Sequence, residues 1–285
     1  MSLALRSLIA ALVVGLGLGM SQPTQAQSVP GAQTWSDTVD FSPTDRVEIH
    51  NQTGSITVTT WDRPQVGYEV TLAPSESDSV LATDFAIDHS DEELSFGRDG
   101  SWSIRIPGLL TISPDAGGDP IGHYRIVMPK TASLDIDDFG STIEVSDVEA
   151  NVEVDTHEGS VTVRGVEGTL ELETFSSTAT ASGLRGSAEL ETHSGRITAA
   201  FEEFAAASSA ETHSGSLRFF LPTNTGFVLA TDADSSQFTI DEAFGPPSKD
   251  DERWSFNGGG PDLSVEAFSG TVELRPLDAY APSSR

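Results

Sequence analysis

The chain contains no cysteine, and only two of its residues are lysine, Lys130 and Lys249. The absence of cysteine excludes disulfide bonds and lipid attachment at a cysteine. The 15 basic residues are outnumbered by 44 acidic ones, which gives a formal net charge of −29. A field of this sign repels nucleic acid and anionic lipid, so neither is expected as a partner. Cations or basic groups are attracted to such a surface, although simple surface solvation is the preferred interpretation.

Long apolar runs are also missing after the first 26 residues, so no later segment is expected to span a membrane as a helix. The N-terminus itself has Arg6, then an apolar run from Leu8 to Met20, then the small-residue site Thr24-Gln-Ala26. These features predict a secretory signal peptide over residues 1–26, cleaved after Ala26. An uncleaved N-terminal anchor is the alternative. We expect the mature protein to be exported to the periplasm or the cell surface.

From Ile136 to Leu277 the sequence repeats a pattern of two alternating segments joined by a small polar turn. Equivalent positions in the first six repeats are separated by 18, 18, 18, 20 and 20 residues, and they are Ile136, Val154, Leu172, Leu190, Ala210 and Ala230. A seventh repeat begins at Val265. A period near twenty residues is typical of solenoids, in which each coil buries its apolar side against its neighbours.

Within each repeat, apolar residues alternate with polar ones, as half-buried β-strands require. In the second repeat, Val161 and Val163 are predicted to point inward from one strand, and Leu170 and Leu172 from the next. Val166 is predicted to fill the corner between them. No amphipathic helical pattern of useful length occurs in the repeats. The sequence therefore predicts an all-β chain of stacked coils of about 18–20 residues.

The predicted domain organisation follows these patterns. Arg275-Pro276 is expected to close the array and to block further pairing at its last edge, because proline has no N–H to donate. The predicted parts are a signal peptide (1–26), a polar linker (27–45), a β-domain (46–277) and a C-terminal tail (278–285). Within the β-domain we expect an irregular N-terminal part (46–130) and regular repeats (131–277), with a loop insert (244–262) before the last coil.

The turns between the paired strands carry aromatic rings. His157, His193 and His213 occupy the same position in their coils, and phenylalanine occupies it in others. Neighbouring coils would place such rings about 5 Å apart, so a stacked ladder is expected. The alternative is a transition-metal site, because imidazole and carboxylate can share an ion; its candidates are His193, His213, Glu191 and Glu211.

The same turns supply the candidates for a binding surface, because their polar residues recur from coil to coil. Gly159, Gly195 and Gly215 end three of these turns, and we expect them to adopt positive φ. The candidate binding residues are His157, Thr192, His193, Thr212 and His213.

Acidic residues form clusters at Asp135, Asp137 and Asp138, in residues 88–93, and at Asp232 and Asp234. Oxygen ligands of this kind suit calcium, but their spacing matches neither an EF-hand loop nor the calcium-binding nonapeptide repeat. A solvated acidic face is the preferred interpretation.

Motifs of known hydrolases are absent from the sequence: there is no Gly-x-Ser-x-Gly, no Ser-x-x-Lys pair and no His-Glu-x-x-His. No catalytic residue and no cofactor is therefore assigned. Paired carboxylates are abundant, but with 44 acids an arbitrary pair carries little weight. A carbohydrate-active β-helix enzyme, a glycosidase or a lyase, is kept as the alternative function.

Two segments resemble the bacterial putative-adhesin family, a domain of unknown function grouped with the toast-rack envelope domains. They are Asn51-Gln-Thr-Gly-Ser-Ile-Thr-Val-Thr-Thr-Trp-Asp62 and Tyr124-Arg-Ile-Val-Met-Pro-Lys130, followed by the Thr-x-Ser-Gly turns. Met128 departs from the usual valine or leucine. The resemblance covers about residues 45–277 and implies a single-stranded, right-handed β-solenoid at the cell envelope, with no established catalytic residues.

Together these observations favour an exported, non-catalytic binding or scaffold module that uses the outward faces of its coils. Extended repeat surfaces suit polymers and protein partners. We therefore expect an envelope polymer or a protein as the partner.

Overall fold

The computed structural model describes residues 31–74, 86–90, 93–97, 120–232, 237–250 and 253–281. The predicted signal peptide lies outside these ranges. Within these ranges the structure contains, besides strands, two short 3₁₀ turns, Glu242–Phe244 and Leu277–Ala279. In chain order the strands are β1 (Gln33–Asp40), β2 (Arg46–Trp61), β3 (Gln65–Ala73), β4 (Ala86–His89), β5 (Glu93–Gly97), β6 (Ile121–Pro129), β7 (Ser133–Val148), β8 (Val152–Thr156), β9 (Ser160–Val166), β10 (Leu170–Thr174), β11 (Thr178–Leu184), β12 (Ala188–Thr192), β13 (Arg196–Phe201), β14 (Ser208–Thr212), β15 (Ser216–Leu221), β16 (Phe227–Thr231), β17 (Phe238–Ile240), β18 (Ser248–Asp250), β19 (Arg253–Phe256), β20 (Asp262–Ala267) and β21 (Thr271–Pro276).

The strands form two parallel β-faces, and each coil contributes one strand to each face. The first face contains, in spatial order, β5, the first half of β2, the first half of β7, then β8, β10, β12, β14, β20 and β16. The second face contains β6, the second halves of β2 and β7, then β9, β11, β13, β15, β21 and β17. The predicted all-β solenoid with coils of about 18–20 residues is confirmed.

Apolar residues from both faces meet in one continuous core. Val163 pairs in register with Val145 on one side and Ala181 on the other, and all three are fully buried. Val166 fills the corner, as predicted, and is also fully buried. Burying each such valine contributes about 1.5–3 kcal/mol relative to exposure. Stability is therefore shared between neighbouring coils, as in other repeat proteins.

The two longer coils add their extra residues at the corner where the second face returns to the first. Residues 202–207 form the first of these longer connections and residues 222–226 the second, while β12 and β14 keep an unbroken register. Phe204 is buried there, and its ring meets that of Phe201 edge-on at 5.2 Å. A buried aromatic thus fills the additional space, and the stacking of the strands is not disturbed.

The order of the last two coils corrects the sequence prediction. β20 pairs with β14 on one side and with β16 on the other. β21 likewise lies between β15 and β17. The final coil in the sequence is therefore the penultimate coil in space, and Arg275-Pro276 ends a strand that has partners on both sides. Residues 244–262 include β18 and β19, which form an antiparallel hairpin against β16.

Antiparallel strands also cover the N-terminal end of the stack. β3 pairs with β6, and β1 pairs with β3 along its whole length. The prediction of a linker over residues 27–45 was therefore wrong for β1. Most side chains of β1 are exposed, so the strand lacks the apolar alternation that would have revealed it.

Candidate binding surfaces

Six aromatic rings form a continuous stack along the turns that connect the first face to the second. Adjacent ring centroids are 4.5 to 5.0 Å apart, and the ring planes are within 9° of parallel. This spacing matches that of hydrogen-bonded strands, so one ring comes from each coil. We call this stack the aromatic ladder; in spatial order it contains Phe139, His157, Phe175, His193, His213 and Phe268.

Backbone hydrogen bonds hold the ladder in register. The N–H of Phe175 donates to the carbonyl of Thr156, and the N–H of His193 donates to that of Thr174, at 3.1 Å in both cases. The parallel pairing of the strands thus continues into the turns, and side chains at equivalent positions are held about one strand spacing apart. The predicted ladder of rings is confirmed by these distances.

The outer edges of the ladder are open to solvent. In the part of the chain that the structure describes, the exposed large apolar side chains are Phe139, Phe175 and Phe268, with exposed fractions of 50%, 45% and 78%. All three belong to the ladder. Because neighbouring rings cover each other's faces, the stack presents mainly ring edges and imidazole nitrogens outward. A continuous strip of aromatic rings that exposes three large apolar side chains is typical of an interaction surface.

Two candidate binding residues do not lie on the surface, and this corrects the prediction. Thr192 and Thr212 are each only 1% exposed, because they point into the core beneath the ladder. Their hydroxyl oxygens accept hydrogen bonds from the N–H groups of Gly195 at 2.9 Å and Gly215 at 3.0 Å. These threonines stabilise the turns and cannot contact a partner directly. His157, His193 and His213 remain as the outward members of the candidate set.

The turn glycines are required for two different reasons. Gly159 has a φ of 96°, as predicted. Gly195 and Gly215 do not have positive φ, so that part of the prediction was wrong. Instead, a Cβ atom at Gly215 would lie 2.4 Å from the carbonyl oxygen of Gly195 in the neighbouring coil. Close approach between coils, rather than backbone handedness, excludes a side chain there.

The four metal candidates are divided between two surfaces. The rings of His193 and His213 are stacked with centroids 4.8 Å apart and planes 6° from parallel. A ring nitrogen binds a metal in the plane of its ring, so two stacked rings do not aim at one ion. Glu191 and Glu211 are neighbours on the first face. Among the described residues, no group of three or more potential ligands is placed to hold a metal ion.

Carboxylates cover the outward side of the first face, which we call the acidic face. They form two columns that follow the strand register across the coils. One column contains Glu48, Asp135, Glu153, Glu171 and Glu189, and the other contains Asp137, Asp155, Glu173, Glu191, Glu211 and Glu266.

Burial, together with the close packing of like charges, raises the pKa of several of these groups. Burial raises the pKa of Glu153, Asp155 and Glu173 above the ordinary value, and neighbouring carboxylates raise it further. Burial also raises the pKa of Asp135, although Arg46 lies 3.2 Å from its carboxylate and opposes the shift. At the N-terminal end of the stack, where Asp135 lies, basic side chains therefore neutralise the charge of the acidic face only slightly.

The predicted cluster of Asp135, Asp137 and Asp138 is split by the strand alternation. The first two side chains point outward, but Asp138 is only 4% exposed. Its carboxylate accepts hydrogen bonds from the N–H of Ser141 at 2.7 Å and from the hydroxyl of Thr156 at 3.3 Å. Asn51 also donates to it, at 3.3 Å. Burial nevertheless raises the pKa of Asp138, because desolvation outweighs these hydrogen bonds.

A groove on the opposite corner, where the second face returns to the first, was not singled out from the sequence. It is lined by Trp61, Lys130, Arg164, Arg185 and Tyr280, among others. These residues are far apart in sequence and belong to different coils. Only the observed stacking brings them together, although the arginines near the turns were a visible signal.

The two-faced stack, with chemistry repeated along its outside, defines a β-solenoid of the repeat-protein class. The model of the family described as Toastrack DUF4097 matches residues 128–275, slightly more than half of the chain. The chain therefore belongs to this family, as the resemblance of the Tyr124–Lys130 segment predicted.

Two solved structures illustrate the likeness. A putative cell adhesion protein from Clostridium sporogenes has 8% sequence identity and a TM-score of 0.32, over 87% of this chain and 99% of that chain. A putative adhesin from Bacteroides fragilis has 14% identity and a TM-score of 0.33, over 88% of this chain and all of that chain. Similarities of this size do not establish a shared function. No curated protein matches the chain.

Neither the geometry of the faces nor these matches adds support to the alternative of a carbohydrate-active enzyme. In the described part of the chain, no helix is long and apolar enough to cross a membrane.

Proposed function

We propose that this protein is an exported, non-catalytic binding or scaffold module of the bacterial envelope, and that the aromatic ladder is its principal contact surface. The observation that carries the proposal is the exposed strip of six stacked rings. Such a strip costs solubility if it stays uncovered, so its persistence over six coils favours a partner. The proposed partner is an envelope polymer or an envelope protein.

The regular spacing of the ladder supports an extended partner. Each coil presents one ring about 4.8 Å from the next, so contacts are repeated and individually weak. A flat, repeated surface suits a polymer or a protein face better than a small molecule, which prefers a concave pocket. We therefore expect affinity to fall gradually as rings are removed. An enzyme would instead lose its activity when one carboxylate is changed.

Export is part of the proposal, with cleavage after Ala26 and a mature chain in the periplasm or at the cell surface. The predicted signal peptide supports it, as does the absence of cysteine, which removes any need for a controlled redox environment. N-terminal sequencing of the protein isolated from its native host tests the cleavage site. A mature protein that retains residues 1–26 would contradict this part of the proposal.

The ladder is tested by measuring binding of the mature chain, from Gln27 onward, to a glycan array and to isolated envelopes of its host. Phe175→Ser and His193→Ser are each expected to weaken binding several-fold, and the double variant more strongly. His123→Ser is the matched control, because His123 is exposed but lies on β6, outside the ladder. Circular dichroism confirms that each variant is folded.

Three results would contradict the proposal: no binding to any envelope component, equal binding by the ladder variants and the control, or turnover of a glycan that one carboxylate substitution abolishes. Parallel measurements with Ca²⁺ and with Zn²⁺ distinguish binding through a metal ion from direct contact with the rings. Binding that requires Zn²⁺ and disappears in His193→Ser would favour a metal site over simple ring contacts.

A further inference from the structure

The groove on the corner opposite the aromatic ladder has the features of a ligand site. It has a volume of about 790 Å³ and follows the stack from β2 to the C-terminal 3₁₀ turn. Its lining is mixed, with aromatic, cationic, carboxylate and hydroxyl groups in one continuous recess. Recesses with a few convergent polar groups are preferred places for binding.

Three of the few cations of this acidic chain line the groove. Lys130 lies 2.7 Å from a carboxylate oxygen of Asp62 and 3.2 Å from one of Glu149. Arg185 lies between two further carboxylates, those of Glu167 at 3.2 Å and Glu202 at 2.9 Å. Both cations are therefore already neutralised by protein groups.

Arg164 differs from these two cations. It projects from β9. Its neighbours in register are Ser146 of β7, on the side of Lys130, and Ser182 of β11, on the side of Arg185. Its side chain is half-buried, yet the described residues provide no ion pair and no hydrogen bond to its guanidinium. An arginine held in a recess, with no acidic partner among the residues that the structure describes, is suited to bind a carboxylate in a two-point contact.

Aromatic residues mark the two ends of the groove. Trp61 is fixed at one end, where its indole N–H donates to the carbonyl of Gln65 at 2.7 Å. Tyr280 lies at the other end, where its ring is 5.1 Å from that of Phe220. Five strand spacings separate β2 from β15, which places the two ends about 24 Å apart. A ligand that contacts both ends must be an extended chain.

The charge balance of the groove restricts the ligand further. The lining contains three cations and five carboxylates, so a densely charged polyanion is repelled. Hydroxyl groups, by contrast, donate well to carboxylates, and one carboxylate on the ligand matches Arg164. We propose that this groove binds an oligosaccharide containing uronic acid, with a uronate carboxylate on Arg164 and sugar hydroxyls on the surrounding carboxylates.

The groove and the aromatic ladder lie on opposite edges of the solenoid, so the two proposals can fail independently. The probe is a hexamer of five neutral xylose units and one glucuronate, titrated calorimetrically into the mature protein, with the methyl ester of the same hexamer as a matched ligand. Esterification removes the charge of the ligand but keeps its ring hydroxyls. We expect the acid to bind at least about tenfold more tightly than the ester, as loss of a charge-assisted contact requires.

Arg164→Gln is expected to weaken binding of the acid by about tenfold or more and to leave binding of the ester unchanged. Arg196→Gln is the matched control, because Arg196 is an outward arginine on β13 outside the groove, and no change is expected. Phe175→Ser, in the aromatic ladder, is also expected to bind the acid normally. Unchanged circular dichroism shows that the variants are folded.

Absence of binding to the hexamer would overturn the proposal, as would equal binding by Arg164→Gln and Arg196→Gln, or equal affinity for acid and ester. Tighter binding of an oligoglutamate peptide than of the hexamer would also overturn it, in favour of an acidic peptide. Loss of hexamer binding in Phe175→Ser would place the contact on the ladder instead.

Discussion

Replacing Glu173 by glutamine is expected to stabilise the protein, because Glu173 lies in the middle of an acidic column. It pairs in register with Asp155 on one side and Glu191 on the other, about 4.8 Å away in each case. Two like charges at that distance repel by about 0.9 kcal/mol in water. At about 0.15 M salt, where the Debye length is about 8 Å, roughly half of this remains. Loss of both repulsions raises the free energy of unfolding by about 1 kcal/mol.

The pH dependence of this effect follows from the raised pKa of Glu173. A carboxyl group whose pKa is higher in the folded state than in the unfolded state binds its proton more tightly when folded. It therefore favours folding below the unfolded pKa of about 4.3, and this contribution is lost as the pH rises through the folded value. The gain from Glu173→Gln is accordingly largest near neutral pH and disappears in mild acid.

The assay is urea unfolding followed by circular dichroism, at low salt, at about 0.15 M and at about 1 M. Glu203→Gln is the control, because Glu203 is exposed but lies outside the acidic face. Glu173→Gln should be more stable than this control at low salt, and the difference should shrink as salt is added. Equal stability of the two variants at low salt would refute the argument from stacked charges, as would a difference that does not depend on salt.

Further substitutions test other parts of the structure, each by urea unfolding unless stated. Asp138→Ala should lower the free energy of unfolding by about 2–3 kcal/mol, because several buried donors lose their acceptor, whereas Asp138→Asn should cost less than about 1 kcal/mol. Gly215→Ala should cost about 1–3 kcal/mol, because its Cβ would lie 2.4 Å from a neighbouring carbonyl oxygen, while Gly140→Ala, with no neighbouring atom nearer than 3.8 Å, should be tolerated. Val163→Asp should reduce amide-exchange protection most in β7 and β11, the strands paired with β9, and uniform loss of protection across all coils would contradict nearest-neighbour stability.

The regular coils could be predicted from the sequence because one physical requirement generates the whole pattern. An inward valine or leucine must recur at each strand spacing. The period and the alternation of the sequence therefore reveal the inward residues, such as Val161, Val163, Leu170 and Leu172. The order of the last coils could not be predicted in this way. β16 and β20 both satisfy the pattern, and local periodicity does not determine which of them lies against β14.

The aromatic ladder could also be foreseen, because its rings occupy one position in successive coils. Burial of Thr192 and Thr212 could have been recognised from the same alternation, since each lies two positions after an inward residue, Leu190 or Ala210. The groove could not be predicted, because Trp61, Arg164 and Tyr280 share no sequence pattern. Their proximity depends on how the N- and C-terminal parts of the chain pack against the regular coils.

The insertion of the final coil between two earlier ones has a consequence for biogenesis. β16 and β17 pair with β20 and β21 but not with β14 or β15, which precede them in the chain. During synthesis or translocation from the N-terminus, residues 227–240 emerge before their parallel partners exist. The order of folding therefore cannot follow the order of emergence at this end of the molecule. The outermost coil must wait until the C-terminal residues arrive, and a nascent chain truncated before residue 262 would leave it without a place to dock.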